Sequence, residues 1–327
     1  MGRRTAAGAR PPRRRAVPYD KIAAATDTAP TRHRRPAARL SVPARRGPAG
    51  VIMGDARMGR MDILRRNNVT VTGNPDGPAV VLAHGFGCDQ NMWRLTVPAL
   101  ADVHRVVLFD YVGCGRSDLS AFREDRYTSL DGYAQDVVEI AEALDLRDAT
   151  FVGHSVSAMA GVLAARRAPE RFGALVMVAP SPRYIDDEGY RGGFTAADID
   201  ELLASLDSNY LGWSAAMAPM IMGNPERPEL GEELTRSFCA TDPDMARVFA
   251  RTTFLSDSRD DLKSVTVPTL VLECTQDMIA PREVGAYVHS RIPGSTLVTL
   301  DATGHCPHLS APEATNRAIT GFLTGLR

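Results

Sequence analysis

A serine, an aspartate and a histidine, far apart in the chain, have the types and the order that acyl-transfer chemistry requires. The serine is Ser155, in the run Gly153-His154-Ser155-Val156-Ser157. There an apolar stretch gives way to small residues that read as a helix. Gly-x-Ser-x-Gly at a sharp strand-to-helix turn lifts a hydroxyl clear of a sheet and aims the following amides at whatever it attacks. Ser157 stands here in place of the last glycine, which predicts a turn that is kept but slightly crowded. A free serine hydroxyl is a weak nucleophile, and a lone serine at such a junction also reads as a helix cap. The choice between the two rests on partners.

Seven histidines compete for the role of base. His33 lies in a basic N-terminal segment. His84 ends a strand and would flank the pocket floor. His104 falls on the wrong edge of a parallel sheet. His154 adjoins the serine, and neighbouring side chains in such a turn diverge. His289 comes late in a helix. His305 and His308 remain, in "DATGHCPHLSAPE" after the last strand. His305, directly after Gly304 and nearest the strand end, is the candidate base. Asp277, just beyond the strand "LVLEC", is the candidate acid that fixes the tautomer of the base. Asp301 still belongs to its strand, and Asp110 in "DYVGCGRSD" reads as a structural turn. The order Ser155, Asp277, His305 is one that hydrolytic triads use. A tetrahedral oxyanion also needs donors, and the amides of Phe86, in "AHGFGCD", and Val156 are the candidates. Four separately placed elements agree in order and position, which outweighs the cap reading.

These residues must be carried by a sheet. "AVVLA", "RVVLFD", "ATFVGH", "ALVMVA", "PTLVLEC" and "STLVTLD" are short apolar runs, mostly without polar alternation, as strands buried on both faces are. Ahead of them, "ILRRNNVTVTG" reads as a strand followed by a Pro-Asp-Gly turn. Helical patterns lie between the runs: Tyr133, Val137, Ile140 and Leu144 form one stripe. Strands alternating with helices predict an α/β fold with right-handed crossovers. From about 183 to 257 no strand is legible, and a helical insertion is expected. Its Phe194, Trp213 and Met217 are candidates for a cap over a substrate pocket, with Met220, Met222 and Phe254. Packing of the insertion's own small core is the competing role for each.

Composition narrows the class. The 327 residues are 44% hydrophobic and 24% charged, as in an ordinary globular protein. No apolar run is long enough to span a membrane. Five scattered cysteines without CxxC spacing suit a reducing, cytoplasmic compartment and argue against a disulfide framework or a zinc site. No metal or cofactor is expected. The net charge of −1 hides a split. Residues 1–60 hold fourteen Arg and one Lys against Asp20, Asp27 and Asp55, a formal +12 that leaves −13 for the rest. This Ala/Pro/Arg-rich stretch has no apolar periodicity and reads as a disordered tail, or as sequence upstream of a start at Met61. No apolar core follows its arginines, as a secretory signal requires. Tyr19 is the one Phe, Tyr or Trp residue among them, too few to interleave the arginines, so nucleic acid is not an expected partner.

"HGFGCDQNMW", "HRVVLFDYVGCGRSD", "LDGYAQDV", "FVGHSVSAMAG", "TDPDMARVFA" and "GHCPHLSAP" together resemble the RsbQ-type bacterial stress regulators, whose plant relatives are the karrikin and strigolactone receptors. The likeness covers about residues 61–325, and the acid loop "TQDMIAPREVGAYVH" looks more like the bacterial regulator. The resemblance implies an α/β-hydrolase fold with a mostly parallel sheet and a four-helix lid over a small hydrophobic pocket. It carries the triad onto Ser155, Asp277 and His305 and the oxyanion amides onto Phe86 and Val156. It further implies slow turnover of a small hydrophobic ester- or lactone-like ligand and a PAS-domain PP2C-type phosphatase as partner in sigma-factor control. A metabolic carboxylesterase or lactonase without a partner is the alternative. Haloalkane dehalogenase chemistry fits poorly, because it wants a carboxylate where Ser155 stands.

One expectation rests on the sequence alone. Deleting residues 1–60 leaves the melting temperature and ester hydrolysis unchanged, because the segment has no periodic apolar face to dock. Calorimetry of the two forms checks it, and a substantial drop in melting temperature contradicts it.

Overall fold

The computed structural model describes residue 59 and residues 62–326. The N-terminal tail expected for residues 1–60 lies outside the described residues but for Gly59. Seven strands form one sheet in the order β1-β3-β2-β4-β5-β6-β7. They are β1 (Thr70–Gly73), β2 (Ala79–Ala83), β3 (Arg105–Leu108), β4 (Ala149–His154), β5 (Phe172–Val178), β6 (Thr269–Gln276) and β7 (Thr296–Thr303). Only β1 runs antiparallel to its neighbour; all other pairs are parallel.

Central strands have no wet face, and their sequences show it. All six residues of β4 are buried, whereas every residue of the edge strand β1 is exposed. Val80, Leu82, Val106, Val152, Val176, Leu270 and Leu272 share one core with Trp93, Ile319 and Leu323. Helices cover the two faces: α1 (Leu130–Ala143), α2 (Val156–Arg167), α7 (Arg282–Arg291) and α8 (Pro312–Gly325). No described helix is long and apolar enough to cross a membrane.

The expected first strand differs from what forms. Residues 62–66 are helical, and β1 begins only at Thr70. Asn67 and Asn68 make the break. Asn68 takes the left-handed φ of 44°, which Asn tolerates better than most side chains. Buried Asn67 donates through Nδ2 to the Asp110 carbonyl at 3.1 Å and to Asp136 Oδ2 at 3.2 Å. Asp136 also accepts from Arg66 at 3.2 Å and from the Tyr127 hydroxyl at 3.1 Å. Side chains therefore pin this segment before the strand begins. Asp110 is a turn residue as expected: it accepts from the Gln90 amide, Asn68 Nδ2 and the Arg116 amide.

Between β5 and β6 lie four helices: α3 (Ala196–Ser208), α4 (Tyr210–Met222), α5 (Pro228–Ala240) and α6 (Pro243–Phe254). Their boundaries are written locally. Thr195 and Asp198 form a capping box at the start of α3, and Asp242 caps α6 ahead of Pro243, each satisfying amides that a helix start leaves unpaired. The two ends of the insertion meet, because Arg183 pairs with Asp257 through backbone and through a 2.8 Å ion pair.

β4 and α2 cross at Gly153 with no room for a side chain: a Cβ there would lie 2.6 Å from the carbonyl carbon of Ser157. Gly153→Ala is therefore expected to destabilise the protein by about 1–3 kcal/mol, the usual cost of overpacking. Urea denaturation measures it, and a midpoint equal to that of the unaltered protein would show that the crossing has slack.

Candidate active site

Ser155 sits between β4 and α2 with φ 56° and ψ −126°, a conformation that costs a non-glycine residue roughly 1–3 kcal/mol. Its surroundings impose it. The Ser155 amide donates to the Val178 carbonyl at 2.8 Å, extending the pairing of β4 with β5, and its own carbonyl accepts from the Ala158 amide at 3.0 Å as α2 begins. Ser157, in place of glycine, has its hydroxyl donating to the His84 carbonyl. The residue that replaces glycine thus ties the elbow to the end of β2.

The base and the acid arrive on loops that leave the same edge of the sheet. His305 Nε2 lies 2.7 Å from Ser155 Oγ, and its Nδ1 lies 2.7 Å from Asp277 Oδ2. Asp277 Oδ1 accepts the amides of Ile279 at 2.8 Å and Ala280 at 3.1 Å. With Nδ1–H given to the carboxylate, Nε2 faces the serine as an acceptor. Both partner side chains are sealed from solvent, His305 at 5% and Asp277 at 0% exposure. The structure thus brings Ser155, Asp277 and His305 together as one hydrogen-bonded relay.

The main chain of His305 is held as well. Its amide donates to the Ile221 carbonyl in the last turn of α4 at 2.9 Å. Its carbonyl accepts from His154 Nε2 at 2.8 Å. Asn224 stitches the same junction, donating to the carbonyls of Met222 and Thr303, each at 2.8 Å. Gly304 has φ 92°, and any side chain there would run into the Met222 carbonyl oxygen. His308, the rejected candidate base, stacks on Trp93 with ring centroids 4.5 Å apart. Burial pushes its pKa down to about 3 and moves those of His154 and His84 below the ordinary range, so these three rings are neutral near neutral pH.

The two candidate oxyanion donors have no acceptor among the described residues. Val156 opens α2, where a helix leaves its first amides unpaired. The Phe86 amide is aimed by its neighbour. His84 Nδ1–H donates to the Gly85 carbonyl at 2.9 Å, and its Nε2 accepts from the Tyr111 amide at 3.2 Å. In a trans peptide the C=O and N–H point opposite ways, so the Phe86 N–H faces away from His84. Gly85 is packed so tightly on the elbow that a Cβ there would lie 3.2 Å from Ser155 Cβ.

Over these groups lies a small cavity of about 30 Å³, room for about one water. Its walls include Phe86, Tyr184, Ile221, Leu234, Phe238 and Phe254. The Tyr184 hydroxyl lies 3.5 Å from Ser155 Oγ. Cys88 and Cys306 also line it; burial pushes both thiols up, so they serve as apolar wall.

The expected pocket residues Phe194, Trp213 and Met217 are not among these walls. Tyr210, Trp213, Met217 and Ile221 all lie in the buried set of α4 at helical spacing, and only Ile221, at the C-terminal end, reaches the cavity. Trp213 forms a second layer, stacked on Phe238 at 5.9 Å and edge-on to Phe86 at 6.2 Å. Phe194 stands at the foot of the insertion, bridged to Ile185. Phe254, expected as a cap residue, lines the cavity, and Tyr184, Leu234 and Phe238 line it beyond expectation. For Leu234 and Phe238 the signal was their i, i+4 spacing on an amphipathic helix.

Residues 80–318 match the Alpha/beta hydrolase family. The chain is 40% identical over 256 residues to strigolactone esterase D14 of Arabidopsis thaliana, covering 78% of this chain and 95% of that protein. It is 40% identical over 237 residues to karrikin insensitive 2 receptor IA of Petunia hybrida, covering 72% and 86%. A hydrolase from Oleispira antarctica of known structure superposes with a TM-score of 0.79 at 42% identity, over 81% of this chain and 97% of that one. With that family match and relatives about 40% identical over more than two thirds of its length, the chain belongs to the alpha/beta hydrolase family.

Proposed function

We propose that the protein is a serine hydrolase of small, largely apolar esters or lactones. The observation that carries this reading is the continuous relay Ser155–His305–Asp277, with two 2.7 Å contacts, opening into an apolar cavity. In the first step Ser155 Oγ attacks the acyl carbon while His305 Nε2 takes the hydroxyl proton. The carbonyl oxygen becomes an oxyanion, which the amides of Phe86 and Val156 receive. Collapse breaks the bond to the alkoxy oxygen, which leaves with the proton from His305, and an acyl-serine remains. A water then repeats the sequence, releasing the acid and restoring the Ser155 hydroxyl. A lactone follows the same path, with its leaving oxygen still tethered to the acyl group.

The cavity as it stands is far below the roughly 300–1,000 Å³ of ordinary ligand sites. Substrate entry therefore requires the side chains that wall it, several of them on α4–α6, to move, and α4 carries the Ile221 carbonyl that holds His305. Turnover is slow on this account, since each cycle opens and rebuilds the site.

Coupling between the insertion and His305 favours a second, signalling reading over plain metabolism. The likeness to receptor proteins of the plant relatives points the same way. In it the helical insertion reports ligand state to a partner, a PAS-domain phosphatase as in the RsbQ-type regulators, in the cytoplasm. A ligand shifts such a partner only if it favours one state of the insertion over another.

Purified protein should hydrolyse p-nitrophenyl acetate, and Ser155→Ala should abolish the activity. Asp277→Asn should keep the melting temperature and lower kcat by about four orders of magnitude, because the imidazole then takes the wrong tautomer. Undiminished hydrolysis by Ser155→Ala excludes the reading. For signalling, Glu201→Lys with Glu232→Lys, both on the exposed face of the insertion, should spare hydrolysis and abolish stress-dependent activation in cells. Ser155→Ala should abolish both, and an intact cellular response in the double variant and in Ser155→Ala alike removes the signalling reading and leaves the metabolic esterase.

A further inference from the structure

We infer that His154 is a positioning residue, one whose Nε2–H holds the main chain of His305 and thereby sets the catalytic imidazole against Ser155. This rests on the triad reading above and extends it to a fourth side chain.

His154 precedes the nucleophile and is 2% exposed. Its Nε2 lies 2.8 Å from the His305 carbonyl. A carbonyl only accepts, so Nε2 carries the proton and Nδ1 is bare. Nδ1 has no hydrogen-bond partner among the described residues. The ring is wedged between His305, at 5.1 Å, and His308, at 4.6 Å. On the Nδ1 side it abuts Gly85, where a Cβ would come within 2.7 Å of that nitrogen. One imidazole thus touches three parts of the site: the elbow it belongs to, the loop of the base, and the turn that presents the Phe86 amide.

The single hydrogen bond it makes is well placed to control geometry. His305 has its amide fixed by α4 and its side chain fixed by Asp277, and His154 supplies the remaining anchor, at the carbonyl. Without it the buried His305 carbonyl loses its donor, and the peptide after His305 is held only from its far side, where the Cys306 carbonyl accepts the amides of Leu309 and Ser310. Misplacement of a reacting group by about 1 Å costs on the order of 100-fold in rate.

Two amides separate positioning from packing. In Gln the side-chain nitrogen falls near the place of Nε2, and in Asn near that of Nδ1. His154→Gln should retain kcat for p-nitrophenyl acetate within about threefold, whereas His154→Asn should lose about 10- to 100-fold in kcat with KM nearly unchanged. A structural role would move both alike, following their melting temperatures. Equal kcat values for the two variants overturn the inference. If neither variant folds, two-bond ¹H–¹⁵N correlation spectra of the unaltered protein decide: an Nε2–H tautomer at His154 is expected, and an Nδ1–H tautomer overturns it. Ser155→Ala measured alongside keeps the two readings apart. If it is inactive while His154→Asn matches His154→Gln, only the positioning role fails; if it is active, the triad itself fails.

Discussion

The site depends on the fixed orientation of one imidazole. His305 makes four hydrogen bonds, two through its ring to Ser155 and Asp277 and two through its main chain to Ile221 and His154. Each partner comes from a different element: the elbow turn, the loop after β6, the end of α4 and the end of β4. A parallel sheet makes this convergence possible, because its strands all deliver their following loops to one edge. The strain at Ser155 is tolerated for the same reason, since pairing with β5 and the start of α2 leave its backbone no other conformation.

The second organising contact is apolar. The ring of Phe86 meets Trp213, Phe238, Phe249 and Phe254 edge-on, with centroids 5.5 to 6.2 Å apart. All four belong to the helical insertion, while the Phe86 amide is a candidate oxyanion donor. Edge-to-face aromatic pairs contribute about 0.5–1.5 kcal/mol each beyond burial, so the closed arrangement of the insertion also holds the turn that presents this amide. Closure, base and oxyanion turn are one packed assembly.

Much of this was legible in the sequence. Uninterrupted apolar runs marked β2 to β6 because both faces of those strands are covered. Ser155, Asp277 and His305 stand out because each lies within two residues of a strand's end, where position along the chain nearly fixes position in space. The first strand starts later than its apolar pattern suggests, because Asn67 and Asn68 end a helical turn through side-chain bonds to Asp110 and Asp136, partners some forty and seventy residues away. The pocket lining differs from expectation for a similar reason. Trp213 and Met217 are the conspicuous apolar residues of α4, yet the tilt of a helix against the sheet decides which end of a stripe reaches a cavity, and no local pattern records that tilt. The role of His154 is not legible locally, because its sequence position speaks only to whether it can act as a base, whereas its partner is a backbone carbonyl 151 residues away.

The most direct test of the central claim is covalent trapping by a fluorophosphonate followed by peptide mass spectrometry. The reagent needs an activated serine and forms a stable tetrahedral adduct in the place of the acyl intermediate. The account predicts a single adduct on Ser155, formed quickly in the unaltered protein and lost or greatly slowed in His305→Ala. Labelling of another residue, or labelling of Ser155 at the same rate without His305, would contradict it.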